Sequence, residues 1–311
     1  MNLNETVQYL KEHDGFLLVT HIRPDGDTLG SAAALCHILR KLGKTAYLYD
    51  NPQTTEKYAV WTGPYIAPSY FIPSVTVAID LAAENLFPKG LPEKTHFDLC
   101  IDHHPTNSGY ADRLFCLPEK ASCGELILQI AKELNCLDSH AADLLYIAVS
   151  TDCGCFVYGN TTAETHRAAA ELFEAGADYK PLNVSFFRQR SFSRLTLEGL
   201  IFSGMQQYAE GRVSIAVVTL DMMERSGATE DDCDDLASLA GRVEGSYVSA
   251  TIRELGPREC KVSLRSGEQF DSSAICRLHG GGGHRMASGC TIYEDLETAR
   301  DMIVRDILRA L

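Results

Sequence analysis

Residues 15–27 read GFLLVTHIRPDGD, and the fold follows from this stretch. Gly15–Ile22 is a mostly apolar run of the length of a buried strand. Pro24 and Gly26 then stop regular structure. Thr28–Leu42 carries a helical pattern closed by Gly43, the residue type that favours the position after a helix end. A buried strand feeding a helix through a tight loop is the opening of a parallel α/β sheet, and such sheets bind ligands at the carboxyl ends of their strands. His21, Asp25 and Asp27 set one imidazole and two carboxylates at that edge. Gly30 and Ser31 allow close backbone approach at the helix start. Taken alone, the motif reads equally well as a helix start capped by Asp.

Working outward, Ala46–Tyr49, Val75–Asp80 and Phe97–Asp102 read as further strands, the last two running straight into an acidic residue. Asp102 is followed by His103, His104 and Pro105. Adjacent histidines cannot point the same way in extended structure, so one can face a metal and the other a substrate. Asp102 can orient a histidine through its second ring nitrogen. Helices are expected over Cys123–Leu134 and Ala141–Thr151, with Asp152 just after the apolar 144–149 segment, and another helix opens at Thr161–Glu164. Alternating strands and helices predict an α/β domain over 1–181 with a doubly wound, mostly parallel sheet. Asp80 and Asp152, singly, read as residues that end an element. Together with His21, Asp25, Asp27 and the histidine pair they form one constellation. Many carboxylates with a minority of imidazoles suit Mn²⁺ first, or Mg²⁺, over Zn²⁺ or Cu²⁺. More than four donors suggest two divalent cations, ~3.5–4 Å apart in such sites.

After 181 the pattern changes. A helical connector is expected over 182–210, then a smaller α+β domain over 211–311. Its expected parts are a strand at Val213–Leu220, an acidic helix at Thr229–Ala240, and alternating strands at Tyr247–Leu255 and Cys260–Arg265. A short helix at Ser272–Leu278, four glycines, a strand at Ala287–Tyr293 and a last helix from Asp295 follow. The backbone of Gly281, Gly282 and Gly283, beside His284 and Arg285, is expected to form an anion-binding nest. A flexible loop is the plainer alternative. Arg265 is either an exposed strand residue or a planar grip for a terminal phosphate.

The chain of 311 residues carries a formal net charge of −14, the wrong sign for a surface that binds long nucleic acid. That balance favours a short RNA or small nucleotide held by metals and a few arginines. No run approaches the ~18 apolar residues of a membrane span, and residues 1–15 lack the apolar core of a signal peptide. A cytoplasmic protein without membrane contact is expected, with a homodimer compatible with the sequence. The eleven cysteines form no C-x-x-C pair, so they read as small buried hydrophobes in a reducing compartment rather than a zinc ribbon.

H-x-x-P-D-x-D at His21–Asp27, Asp80, D-H-H at Asp102–His104 and Asp152 stand in the order of the four motifs of the DHH phosphoesterase superfamily, and the chain resembles it. Gly280–Arg285 resembles the glycine-rich motif of the DHH-associated C-terminal domain. The likeness spans nearly the whole chain and is strongest to the bacterial nanoRNA phosphodiesterase and 3′-phosphoadenosine-5′-phosphate (pAp) phosphatase group. It implies that His21, Asp25 and Asp80 hold one ion, and that Asp27, Asp80, His103 and Asp152 hold the other, with Asp80 bridging. It implies that His104 contacts the scissile phosphate, and that Arg265, His284 and the glycine backbone hold the substrate's phosphates. Before Pro24 stands Arg23, and Leu278-His279 precedes the glycines where an aromatic residue is expected.

Three rivals follow from the same residues. A family II inorganic pyrophosphatase shares the first four motifs but carries a basic S-R-K-K-Q stretch, absent here. A linear or cyclic dinucleotide phosphodiesterase is the second. A non-catalytic nucleotide sensor is the third, and the intact ligand set argues against it.

Overall fold

The computed structural model describes residues 1–233 and 235–311. It divides into two compact units, Met1–Gln189 and Arg190–Leu311.

The first unit opens with α1 (Leu3–Glu12), a helix missing from the sequence reading although Asn2 and Glu5 close a capping box at its start. Then come β1 (Phe16–Val19), α2 (Gly26–Lys41), β2 (Ala46–Leu48), α3 (Glu56–Thr62), β3 (Val75–Ile79), β4 (Leu99–Asp102), β5 (Leu114–Cys116), α4 (Cys123–Glu133), α5 (Ser139–Asp152), α6 (Ala163–Glu174) and α7 (Tyr179–Asn183). The strands form the expected parallel sheet, in the order β2-β1-β3-β4-β5. The edge strand β5 was not anticipated, because three residues carry too little periodicity. The chain places β2 on one side of β1 and β3 on the other, so the strand order switches between β1 and β3. One sheet face packs Phe16, Leu18, Val77, Ile79 and Ile101 under α2, α4 and α5. The other packs Val19, Ala78 and Cys100 under Phe87, Leu91, Phe97 and Tyr110 from the segments between β3 and β5.

The seam between α2 and α5 depends on glycine. A Cβ on Gly26 would lie 2.3 Å from Thr151 Oγ1, and one on Gly30 would lie 2.6 Å from the Leu144 carbonyl oxygen. Any larger residue would push apart the start of α2, which carries Asp27, and the end of α5, which carries Asp152.

The second unit contains α8 (Phe192–Ser203), β6 (Gln206–Tyr208), β7 (Val213–Val218), α9 (Leu220–Ser226), β8 (Val248–Gly256), β9 (Glu259–Ser266), α10 (Ser272–Leu278), β10 (Gly282–His284), β11 (Ala287–Ile292) and α11 (Leu296–Ala310). Its sheet runs β10-β11-β9-β8-β7-β6. All neighbours are antiparallel except β7 and β8. Ile252, Val262, Leu264 and Ile292 pack against Ile303 and Ile307 of α11 on one face. Ala216 and Val218 pack against Leu197, Ile201, Leu236 and Leu239 on the other. The stretch expected as a connector divides. A π turn at Val184–Arg188 follows α7 in the first unit, whereas α8 and β6 belong to the second.

The acidic helix expected over Thr229–Ala240 is replaced by 3₁₀ turns at Glu230–Cys233 and Leu236–Arg242, with Asp234 of that span outside the described residues. Thr229 does not cap a helix. Its own N–H donates to Asp232 Oδ2 at 3.0 Å, and Asp235 sits at φ +59°, a bond and a conformation that compete with helix. No described helix is long and apolar enough to cross a membrane.

Candidate metal centre

β1, β3 and β4 end side by side, and each delivers polar residues into one space above the sheet. His21 lies just past β1. Its Nδ1 donates to the Ile22 carbonyl at 2.8 Å, which turns Nε2 inward to within 3.7 Å of Asp25 Oδ1 and 3.8 Å of Asp80 Oδ2. Asp25 caps α2, accepting the N–H groups of Asp27 and Thr28. Asp27, 1% exposed, accepts the backbone N–H groups of Cys123 at 2.7 Å and Gly124 at 2.9 Å, at the positive start of α4. His103 donates Nδ1–H to the Lys120 carbonyl. Its Nε2 lies 3.7 Å from Asp27, 3.4 Å from Asp80 and 3.7 Å from Asp152. In both histidines the backbone bond fixes the tautomer that offers Nε2 as a ligand.

Donor atoms of His21, Asp25 and Asp80 converge within 4.8 Å of one another, and so do those of Asp27, His103 and Asp152. Asp80 lies between the two groups, reaching His21 with one oxygen and His103 with the other. That is the arrangement of a bridging carboxylate. The fit to a cation shows in the protein itself: Asp80 is 3% exposed and its Oδ1 is buried without a hydrogen-bond partner among the described residues. A buried carboxylate oxygen left this way is costly unless a cation takes it.

Electrostatics agree. Asp27 and Asp152 are pushed well above the usual carboxylate range, first by desolvation and then by neighbouring carboxylates, Asp80 foremost for Asp27 and Asp25 and Asp80 for Asp152. Burial would lower the His21 imidazole, but the neighbouring carboxylates of Asp25 and Asp80 outweigh it and hold His21 up at about 9. Backbone strain gathers at the site too: Asp80 (φ +54°), Arg23 (+53°), Cys155 (+54°) and Phe156 (+67°) are all left-handed, each costing about 1–3 kcal/mol for a side chain that is not glycine.

His104 also converges with Asp80 and His103 as a possible donor group, but its Nδ1 is already engaged. Its Nδ1 donates to Asp102 Oδ1 at 2.8 Å and lies 3.3 Å from Asp80. Burial works against its charge, but the hydrogen bond to Asp102 and the nearby charge of Asp80 hold His104 up at about 11. Asp102, fully buried, spends Oδ1 on the N–H groups of His103 and His104 as well as the His104 ring. It orients rather than ligates. Three asparagines missed in the sequence complete the surroundings. Asn51 donates to the His21 carbonyl at 2.9 Å, Asn107 to Asp102 Oδ2 at 2.6 Å, and Asn160 to the Asp152 carbonyl at 3.2 Å. Isolated loop asparagines carry no spacing signal, although Asn107 lies only three residues past the histidine pair.

The second expected group belongs to the other unit. His284 pairs with Ala287, and Ala287 with Arg265, so Arg265 and His284 share one cross-strand row on one sheet face. Arg265 also donates to the Leu264 carbonyl, and Arg285 donates Nε–H to the Glu268 carbonyl. The glycine run is not the loop nest that was expected. Gly282 to His284 form an edge strand, β10, paired to β11. Gly281 sits so close to β11 that a Cβ would lie 2.2 Å from the Gly289 carbonyl oxygen. A run without side chains can pack this tightly and still turn alternate N–H groups outward along the open edge. Cys276 and Cys290 lie buried beneath it, and all eleven cysteines are free.

The DHH family N-terminal domain matches residues 16–149, stopping just short of Asp152, and the DHHA1 domain matches residues 212–308. The chain is 32% identical over 312 aligned residues to the bifunctional oligoribonuclease and PAP phosphatase NrnA of Thermus thermophilus, covering 98% of this chain and 93% of that one. It is 27% identical to the Bacillus subtilis protein of the same name, covering 97% and 96%. Among solved structures it superposes on an exopolyphosphatase-related protein from Bacteroides fragilis with a TM-score of 0.88 at 21% identity, covering 99% of this chain and 95% of that one. The two matched domains define a phosphoesterase. The chain belongs to the DHH phosphoesterase family, in its DHHA1-containing branch with the oligoribonuclease and PAP phosphatase proteins.

Proposed function

We propose that this chain hydrolyses phosphate esters of short oligoribonucleotides and of pAp with two divalent cations, Mn²⁺ by preference. The observation that carries the reading is the pair of donor triads, one containing Asp80 and the other within 3.4 Å of it through His103, with His104 beside them. His21, Asp25 and Asp80 would hold one cation; Asp27, Asp80, His103 and Asp152 would hold the other. When bound, such a pair lowers the pKa of a shared water toward neutrality and offsets the charge of the phosphate. Carboxylate-rich donors with two imidazoles favour Mn²⁺ over Zn²⁺.

The chain's own part is positioning. Asp102 holds His104 by Nδ1, so that Nε2 can donate to a phosphate oxygen as charge develops on it. In the region 211–311, Arg265 and His284 share a row beside the open backbone edge of β10, a combination suited to the terminal phosphate of a small substrate. The net charge of −14 opposes polymer binding. The relatives of like length are named for oligoribonuclease and PAP phosphatase activity, and that supports the same substrate class here.

Product release from pAp, a linear dinucleotide, a cyclic dinucleotide and pyrophosphate, compared side by side with Mn²⁺, tests the reading. Turnover of pAp or the linear dinucleotide, lost in Asp80→Ala, is expected. Turnover of pyrophosphate alone would overturn the substrate assignment.

A further inference from the structure

We infer that the segment from Asn107 to Tyr110 is a brace that fixes Asp80 and His104 for the reaction, with Asn107 and Tyr110 as positioning residues. This rests on the phosphoesterase reading above. None of the four residues belongs to either donor group.

The brace reaches both ligand-bearing loops. On the side of β3, Asp80 is left-handed, a conformation that persists only when its surroundings hold it. Its N–H donates to the Ile101 carbonyl at 2.9 Å. The next two carbonyls are captured by the brace: Leu81 O accepts the Tyr110 hydroxyl at 2.8 Å, and Ala82 O accepts the Ser108 N–H at 2.9 Å. Tyr110 is itself set edge-on against Phe87 and Phe97, with centroids at 5.2 and 5.4 Å. Its hydroxyl therefore holds a fixed point.

On the side of β4, Asn107 donates Nδ2–H to Asp102 Oδ2 at 2.6 Å. Asn107 is locked in turn, because its Oδ1 accepts the Gly109 N–H at 2.8 Å and its own N–H donates to the His104 carbonyl at 3.2 Å. Asp102 Oδ1 is already spent on His103 and His104. Without Asn107, Oδ2 of a fully buried carboxylate loses its amide donor, the carboxylate plane can turn, and the His104 ring turns with it. One short segment thus sets the backbone of the bridging carboxylate and the ring of the phosphate-facing histidine together.

The test uses the full-length chain with Asn107→Ala, Tyr110→Phe and the double variant. In the metal-free protein, the His104 Nδ1–H held by Asp102 should give a low-field proton resonance, assigned by its loss in His104→Asn. That resonance should shift or broaden in Asn107→Ala. With Mn²⁺, kcat for pAp and for bis(p-nitrophenyl) phosphate should fall roughly 10–100-fold in Asn107→Ala, the range expected for groups that orient ligands. In Tyr110→Phe, where one hydroxyl is lost, the fall should be about 3–10-fold. KM and bound Mn²⁺ per chain should stay at wild-type values. Wild-type kcat with an unmoved His104 resonance would overturn the brace. So would a loss of kcat that only parallels loss of bound Mn²⁺ or of folded protein. If Asn107→Ala fails to fold, Tyr110→Phe carries the test through kcat against KM. A wild-type protein inactive on every nucleotide, with the resonance still moved by Asn107→Ala, would sink the substrate reading and leave the brace standing.

Discussion

In the N-terminal unit the polar groups gather where three parallel strands end, and Asp27, Asp80 and Asp102 are at most 3% exposed. In the C-terminal unit the candidate phosphate contacts ride on an edge strand whose residues, Gly282 to His284, are all exposed. The first region concentrates like charge, left-handed backbone and, at Asp27 and Asp152, raised carboxylate pKa values around three buried carboxylates. The second carries no such cost, because backbone N–H groups on an open edge remain hydrated until a ligand arrives. On the proposed function, the contrast is a division of labour. Bond breaking needs charges preorganised out of water, whereas holding a phosphate of varied attachment needs donors that are open and cheap to keep.

The sharpest way to break this contrast is to remove the shared carboxylate. Asp80→Ala should lose both cations and lower kcat/KM by at least about 10⁴-fold, read by Mn²⁺ content and turnover; retention of two Mn²⁺ per chain would contradict the bridging role. His104→Ala should keep the cations and lower kcat by about 10²–10³-fold, as loss of a donor to developing charge does, while KM changes little. Arg265→Ala acts on the other region. It should raise KM for pAp by about 10–100-fold, the worth of one charge-assisted pair, with Mn²⁺ content unchanged and bis(p-nitrophenyl) phosphate hydrolysis intact. Loss of Mn²⁺ in that variant would undo the separation of roles.

The smallest effect is on stability in EDTA. His21 is raised from 6.5 to about 9. Its contribution is therefore fully present below pH 6.5 and is lost as pH rises through 9. Asp27 and Asp152 are raised as well and act with the same sign. The melting temperature of the metal-free protein should fall by a few degrees between pH 6.5 and 9, and more steeply than that of the Mn²⁺-loaded protein, in which cations replace the protons on His21, Asp27 and Asp152 while His104, raised to about 11, keeps its own. Equal slopes by calorimetry would count against the donor set.

Most of the catalytic half was legible because its signals are local. The GFLLVTHIRPDGD stretch shows strand, loop and helix in sequence, and Asp80 and Asp102 directly follow or end apolar strands. What stayed hidden depends on distance along the chain. Asn51 and Asn160 matter only through the loops they meet, thirty and eight residues away. The close fit of Gly26 to Thr151 is invisible until α2 and α5 are packed. In the second unit the four glycines were read as a loop because glycine disfavours strands. There, however, a Cβ on Gly283 would lie 2.7 Å from the Ala287 carbonyl oxygen of β11, so the absence of a side chain is what lets the strand pack. The acidic stretch after Thr229 failed as a helix for an equally local reason: Asp232 and Asp235 turn their own backbone away from it.

The left-handed Asp80 has a consequence for how such a protein could lapse. Asparagine tolerates that backbone more readily than most residues and carries no charge. Asp80→Asn should therefore melt above the wild-type chain in EDTA while hydrolysing nothing. A chain released from selection for turnover would gain robustness by a single substitution at its most expensive position, and would keep both domains. An inactive descendant of this fold should thus be recognised by an unusually sturdy metal-free state rather than by a damaged one.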